Sequence, residues 1–266
     1  MDKVNSALLE FRQMDELAAM DSPVHRLHPL GKLLVTVLYI ALVVSVPKYA
    51  LPKLIVFALY PALLFPLSGL SVRLCFYKLR IVLPLVCAVG LFNPLFDRAP
   101  LLYLGSLAVS GGAVSMLTLM GKGVLALMAS FLLIGTTPMD ALCAALRRLH
   151  VPSVLVTLLL LTYRYISLLM EQVAVMSEAY ALRAPGQKGV HISAWGSFLG
   201  QLLLRSMDRA EELYAGMLLR GFRGEFPYAD DRRWTSRDTV FLAAAALLLF
   251  VFRYVDVAAF LGGLVV

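Results

Sequence analysis

The feature that most constrains this chain is a series of apolar runs, each close to the length needed to cross a bilayer. They cover residues 30–46, 49–67, 79–96, 114–134, 151–170 and 239–255. A spanning helix needs about 20 apolar residues. In lipid the backbone must satisfy its own hydrogen bonds, so such runs are helices. Charged residues make up 15% of the 266 and hydrophobic ones 60%, where a soluble domain carries about 25% charged. Water cannot cover most of such a surface. The expectation is an all-α, polytopic membrane protein with five or six transmembrane helices. The run at 151–170 decides the count, since it either enters the membrane or lies along its face.

Charge orients the chain. Half of the 24 basic residues fall between Arg147 and Arg237, and Arg73, Lys78 and Arg80 cluster between the second and third runs. Basic residues accumulate in cytoplasmic loops. This predicts a cytoplasmic N-terminal segment (1–29), a four-helix transmembrane block (30–135), a cytoplasmic helical region (136–237) and a C-terminal transmembrane helix (238–266), in the cell (inner) membrane. The net charge of +7 then reflects topology and not nucleic-acid binding. Asp2, Glu10, Asp15, Glu16 and Asp21 do not suit the apolar core of a signal peptide. The first span is therefore expected to stay in place as an anchor. Cys75, Cys87 and Cys143 are far apart and read as free thiols. The 97–113 connection, broken by Pro100, Gly105, Gly111 and Gly112, reads as an external loop with a small hairpin.

The cytoplasmic region is too long for a simple loop. Thr136-Thr137-Pro138-Met139-Asp140 reads as a helix start, with a Thr cap, Pro at the first position and an acid in the first turn. After Val151-Pro152-Ser153 a long helix is expected from Ser153 to Arg183, with Arg164, Glu171 and Glu178 along one line, ended by Pro185-Gly186. A second is expected over 193–220, stopped by Gly221 and Gly224. Leu203, Met207, Ala210, Tyr214 and Met217 form one apolar stripe on it. That stripe either packs the two helices together or seats a membrane partner. The two helices end alike in sequence, each with an arginine in its last turn and then a small residue. An arginine there suits the helix dipole, and two displayed arginine forks suit partner carboxylates.

These endings carry a resemblance. Leu182-Arg183-Ala184 and Leu219-Arg220-Gly221 stand where the T components of energy-coupling factor transporters, of the CbiQ type, have Ala-Arg-Gly motifs. The stretches Ser22-Pro23-Val24-His25-Arg26-Leu27-His28-Pro29, Tyr163-Arg164-Tyr165 and Met207 through Phe222 are also similar. Leu replaces Ala at 182 and 219, and Ala replaces Gly at 184. The resemblance implies the transmembrane coupling subunit of an ATP-driven cobalt or nickel importer. It implies two cytoplasmic ABC ATPase subunits and a membrane substrate-binding subunit as partners. Arg183 and Arg220 would contact acidic groups of the ATPases, and Ala184 and Gly221 would permit close backbone approach.

No catalytic, cofactor or metal site is expected. Gly121-Lys122 lacks a P-loop glycine, since Met116 stands at that place. ATP hydrolysis is therefore assigned to partners. His25 and His28 are weak metal candidates, and His150 and His191 weaker still. Lys122 and Arg164 read as snorkelling or pairing within the bundle. A stand-alone secondary transporter would show paired repeats and broken helices around a midplane site, which this sequence lacks. A membrane enzyme would need partners for Asn93 or Asp97, and none stand near. A T subunit serving a vitamin-specific substrate subunit is the nearer alternative.

Overall fold

The computed structural model describes residues 2–80, 82–91, 100–104, 107–184, 186, 189–224 and 234–254. In chain order these form α1 (Asp2–Ala18), α2 (Pro29–Val44), α3 (Leu51–Phe57), α4 (Leu59–Ser68), α5 (Val72–Leu79) and α6 (Leu83–Leu91). A hairpin of β1 (Pro100–Leu104) and β2 (Leu107–Ser110) follows. Then come α7 (Gly111–Thr136), α8 (Met139–Arg148), α9 (Ser153–Arg183), α10 (Ile192–Leu219) and α11 (Ser236–Tyr254). The protein is thus helical and multi-pass, and the hairpin lies where the turn residues placed it. Among the described residues, three stretches are long and apolar enough to cross a membrane: Leu51–Ser68, Gly111–Thr136 and Ser153–Arg183. Asn93 and Asp97 lie outside the described residues.

The chain divides into two compact units. The first comprises Leu17–Thr137 and Arg232–Val266. Its core gathers Tyr39 and Val43 of α2, Phe57 of α3, Ala129 of α7, and Leu249 and Phe252 of α11. The span expected over 49–67 is two helices broken at Ala58. Proline explains the break. Pro61 has no N–H to offer the Phe57 carbonyl four residues back, and its ring crowds that carbonyl. The buried Tyr39 hydroxyl donates to the freed Phe57 oxygen instead, at 3.0 Å, so no polar group is stranded in apolar surroundings.

Two lysines tie α2 to α7 reciprocally. Lys32, buried near the start of α2, donates to the Thr136 carbonyl at the end of α7 at 2.6 Å. Lys122, inside α7, donates to the Val44 carbonyl at the end of α2 at 3.0 Å and to the Val46 carbonyl. Each cation meets the carbonyl-rich, negative end of the other helix. The pairing reading of Lys122 therefore has a named acceptor. Glycine allows the close approach on the other faces of α7. A Cβ at Gly123 would lie 2.6 Å from Val86 Cγ1. Gly123→Leu is expected to cost about 1–3 kcal/mol through overpacking, read as a lowered melting temperature in detergent.

The second unit comprises Met1–Glu16 and Pro138–Asp231. Its N-terminal helix was not foreseen. Phe11 packs on Tyr163 of α9 with ring centroids 4.8 Å apart. Arg12 pairs with Glu171 at 2.9 Å, and Tyr163 donates to Asp15. The start of α8 also differs from expectation. Pro138 is its N-cap and makes no side-chain cap bond. The Thr136 hydroxyl bonds back to Leu132 of α7 at 2.7 Å, and the buried Thr137 hydroxyl has no hydrogen-bond partner among the described residues. A threonine at the end of one helix has a local acceptor four residues back, and this outcompetes capping of the next.

Candidate functional site

Helices α9 and α10 run antiparallel. Leu161, Arg164 and Leu168 of α9 share a groove with Glu212, Met217 and Arg220 of α10. Met176, Tyr180 and Arg183 share another with Ala194, Phe198 and Arg205. Arg183 and Arg220 therefore lie at opposite ends of the helix pair. Arg183 faces α10 near Ala194 and Phe198, so most but not all of α10 separates the two, roughly 30 Å at about 1.5 Å per residue. Both guanidinium groups belong to exposed residues. Among the described residues neither makes an ion pair.

The two endings differ in geometry, although their sequences look alike. Arg183 is the last residue of α9. Ala184 is the C-cap, with φ −127° and ψ 68° and its N–H on the Tyr180 carbonyl at 3.0 Å. Arg220 is not in the last turn of α10 but is its C-cap. The Gly221 N–H donates to Leu218 O at 2.9 Å, and the Phe222 N–H to Met217 O at 3.0 Å. These two bonds define a Schellman ending, whose next residue needs positive φ. Gly221 supplies it at +79°. Ala184 cannot readily do the same, and the left-handed turn waits for Gly186 at +93°. Gly221→Val should cost about 1–2 kcal/mol in the left-handed region. The loss is read as a lowered melting temperature in detergent.

The stripe on α10 is largely open. Leu203, Met207, Ala210 and Tyr214 are exposed, and Met217 is half-buried against the Arg220 groove. Met217 lines the groove it shares with Leu161, Arg164 and Leu168 of α9, while the other four stripe residues stay exposed. The positions where leucine replaces alanine are also open. Leu182 is 85% exposed and Leu219 91%. Sequence spacing gave no sign of this, since a leucine before an arginine reads equally well as core.

The histidines have structural roles. His25 Nε2 faces the Leu17 carbonyl at 3.0 Å and the Gly135 carbonyl at 3.2 Å, and its Nδ1 faces the Ser22 hydroxyl at 2.7 Å. His28 caps α2 by accepting the Leu30 N–H at 3.1 Å. His191 caps α10 by accepting the Ser193 N–H at 3.3 Å. His150 closes α8 with φ +63°. No group of three or more His, Cys, Asp or Glu suited to a metal occurs among the described residues. Since His150 holds a left-handed conformation that glycine tolerates better, relief of about 1–2 kcal/mol of strain against glycine's entropy cost of about 0.5–1 kcal/mol should leave His150→Gly neutral to slightly stabilising, measured by thermal melting.

The N-terminal segment is locked to the last helix. Asp238 accepts the His28 N–H and the Thr235 N–H, each at 2.8 Å. The second bond is half of a capping box opening α11. Trp234 packs on His28 with ring centroids 5.1 Å apart. Outside this lock, Arg26 holds Asp21 in a two-bond pair at 2.6 and 2.8 Å. That hydrogen bonding holds the Asp21 carboxyl below the usual carboxylate range.

Residues 20–229 match the family model described as CbiQ, cobalt transport protein. The chain is 34% identical over 119 residues to the nickel permease LarQ of Lactiplantibacillus plantarum, an alignment covering 44% of each chain. It is 35% identical over 91 residues to the cobalt transport protein CbiQ of Rhodobacter capsulatus, covering 34% of this chain and 37% of that one. These two alignments span less than half the length of either relative. A longer match, 24% identical over 253 residues, covers 88% of this chain and 93% of the energy-coupling factor transporter transmembrane protein EcfT of Limosilactobacillus fermentum.

Proposed function

This chain belongs to the CbiQ family of cobalt transport proteins, and from that premise we propose that it is the transmembrane coupling subunit of an ATP-driven cobalt or nickel importer. On this reading a separate membrane subunit binds the metal ion. Two cytoplasmic ABC ATPase subunits supply the work, and α9 and α10 carry their movement into the membrane. The chain itself has no catalytic role. The observation that carries the reading is the pair of exposed arginines at opposite ends of one antiparallel helix pair. A rigid rod with an anion receptor at each end suits a partner present twice. Arg183 and Arg220 dock acidic groups of the ATPases, with Ala184 and Gly221 at the contact. The basic bias of 138–237 supports a cytosolic position for this surface.

The open part of the stripe, Leu203, Met207, Ala210 and Tyr214, is the seat for the substrate-binding subunit, with Met217 at its edge against the Arg220 groove. Methionine-bearing faces accommodate a partner that shifts. Co-purification from native membranes tests the assembly. The expected result is two ATPase copies and one further membrane subunit, with metal uptake that requires all of them. Recovery of the chain alone, together with ion-gradient-driven transport in proteoliposomes, would overturn it. Vitamin-dependent uptake with the same ATPases would keep the coupling role and replace the substrate.

A further inference from the structure

The two grooves between α9 and α10 repeat one arrangement. The first, of about 640 Å³, holds Arg220 of α10 and Arg164 of α9. The second, of about 510 Å³, holds Arg183 of α9 and Arg205 of α10. Each therefore takes the arginine at the end of one helix and an arginine from the interior of the other. Apolar side chains line both, Leu168, Met217 and Phe222 in one groove and Met176 and Phe198 in the other, with Ser197 and Gln201 also in the second. Among the described residues none of the four arginines makes an ion pair. The one acid present, Glu212, sits in the first groove 3.9 Å from Arg209.

Two like charges lining one groove repel each other until an anion joins them, and a pair of guanidinium forks then binds a carboxylate through several charge-assisted bonds. We infer that each groove is a two-arginine clamp for an acidic segment of the ATPase subunits, with Arg164 and Arg205 as its unassigned second members. The inference rests on the coupling reading above. A protein occupant is favoured over lipid phosphate because the clamp occurs twice, related by the antiparallel helices. That arrangement suits a partner present in two copies, and a lipid surface does not require it. An exposed leucine, Leu182 or Leu219, stands beside the terminal arginine of each clamp and adds an apolar anchor.

The test is retention of the ATPases by the purified complex during salt washes, for single and paired alanine variants. Arg205→Ala and Arg164→Ala should each weaken retention by about tenfold or more. The effects should couple within a groove, so that Arg183→Ala adds little to Arg205→Ala, and Arg220→Ala adds little to Arg164→Ala. Across grooves they should add fully. A general folding defect would not produce that pairing, and Arg→Lys at 164 and 205 should restore part of the retention. If Arg183→Ala and Arg220→Ala release the ATPases while the Arg164 and Arg205 variants hold them normally, the clamp is refuted and the coupling role stands. If all four hold them normally, both fall. If the Arg164 and Arg205 variants lose only binding to phosphatidylglycerol vesicles, the occupant is lipid and the inference is overturned.

Discussion

Replacing Arg220 with alanine is expected to abolish metal uptake while leaving the chain inserted and folded. The side chain is exposed and makes no ion pair among the described residues, so the chain itself loses little stability, within about 0.5 kcal/mol. The partner loses much more. Truncating one member of a buried, hydrogen-bonded charge pair costs about 2–5 kcal/mol, a fall of roughly 30-fold or more in affinity. Arg220→Lys keeps the charge but not the planar fork, so it should fall between the two. Arg183→Ala should act in the same direction but less strongly, because Ala184 ends α9 without the Schellman lock that fixes Arg220. The measurements are radiolabelled cobalt or nickel uptake in cells and ATPase recovery with the purified chain. Normal uptake by the Arg220→Ala variant would count directly against the docking role.

Asp238→Ala should be strongly destabilising. The buried carboxylate accepts two backbone N–H groups at 2.8 Å. A hydrogen bond to a charged group contributes about 1.5–3 kcal/mol, so losing both should cost about 3–5 kcal/mol. Asp238→Asn keeps one acceptor and should lose about half as much. The readout is the melting temperature of the purified chain in detergent, with the asparagine variant between alanine and the unaltered protein. Equal melting of all three would show that the N-terminal segment is not held through Asp238.

The elements most legible in the sequence were those set by local pattern. The helix from Ser153 to Arg183 has the bounds that Pro152 and Pro185-Gly186 dictate. The second long helix ends at Leu219, within one residue of expectation, because Gly221 takes positive φ. What stayed hidden depends on distant acceptors. Lys32 and Lys122 bond carbonyls 104 and 78 residues away, and a carbonyl leaves no mark in a sequence. The break at Ala58 needed both Pro61 and a tyrosine hydroxyl from another helix. The N-terminal helix was obscured by its acids, which read as a soluble segment, while Phe11, Arg12 and Asp15 in fact engage α9. Both terminal arginines stand out in the sequence by motif. Their placement at opposite ends of the pair, and the second arginine in each groove, required the antiparallel packing.

Labelling of Leu182→Cys and Leu219→Cys tests the central claim most directly. These positions are 85% and 91% exposed and leave both arginines in place. The native background is quiet: Cys75 and Cys143 are buried, and burial pushes both thiols up to about 11, with Asp140 adding to the effect at Cys143. Cys87 is replaced by serine. A membrane-impermeant maleimide should label both introduced thiols from the cytosolic side only, and added ATPase subunits should protect both. Labelling from the outer side, or unchanged labelling with the ATPases bound, would contradict the account.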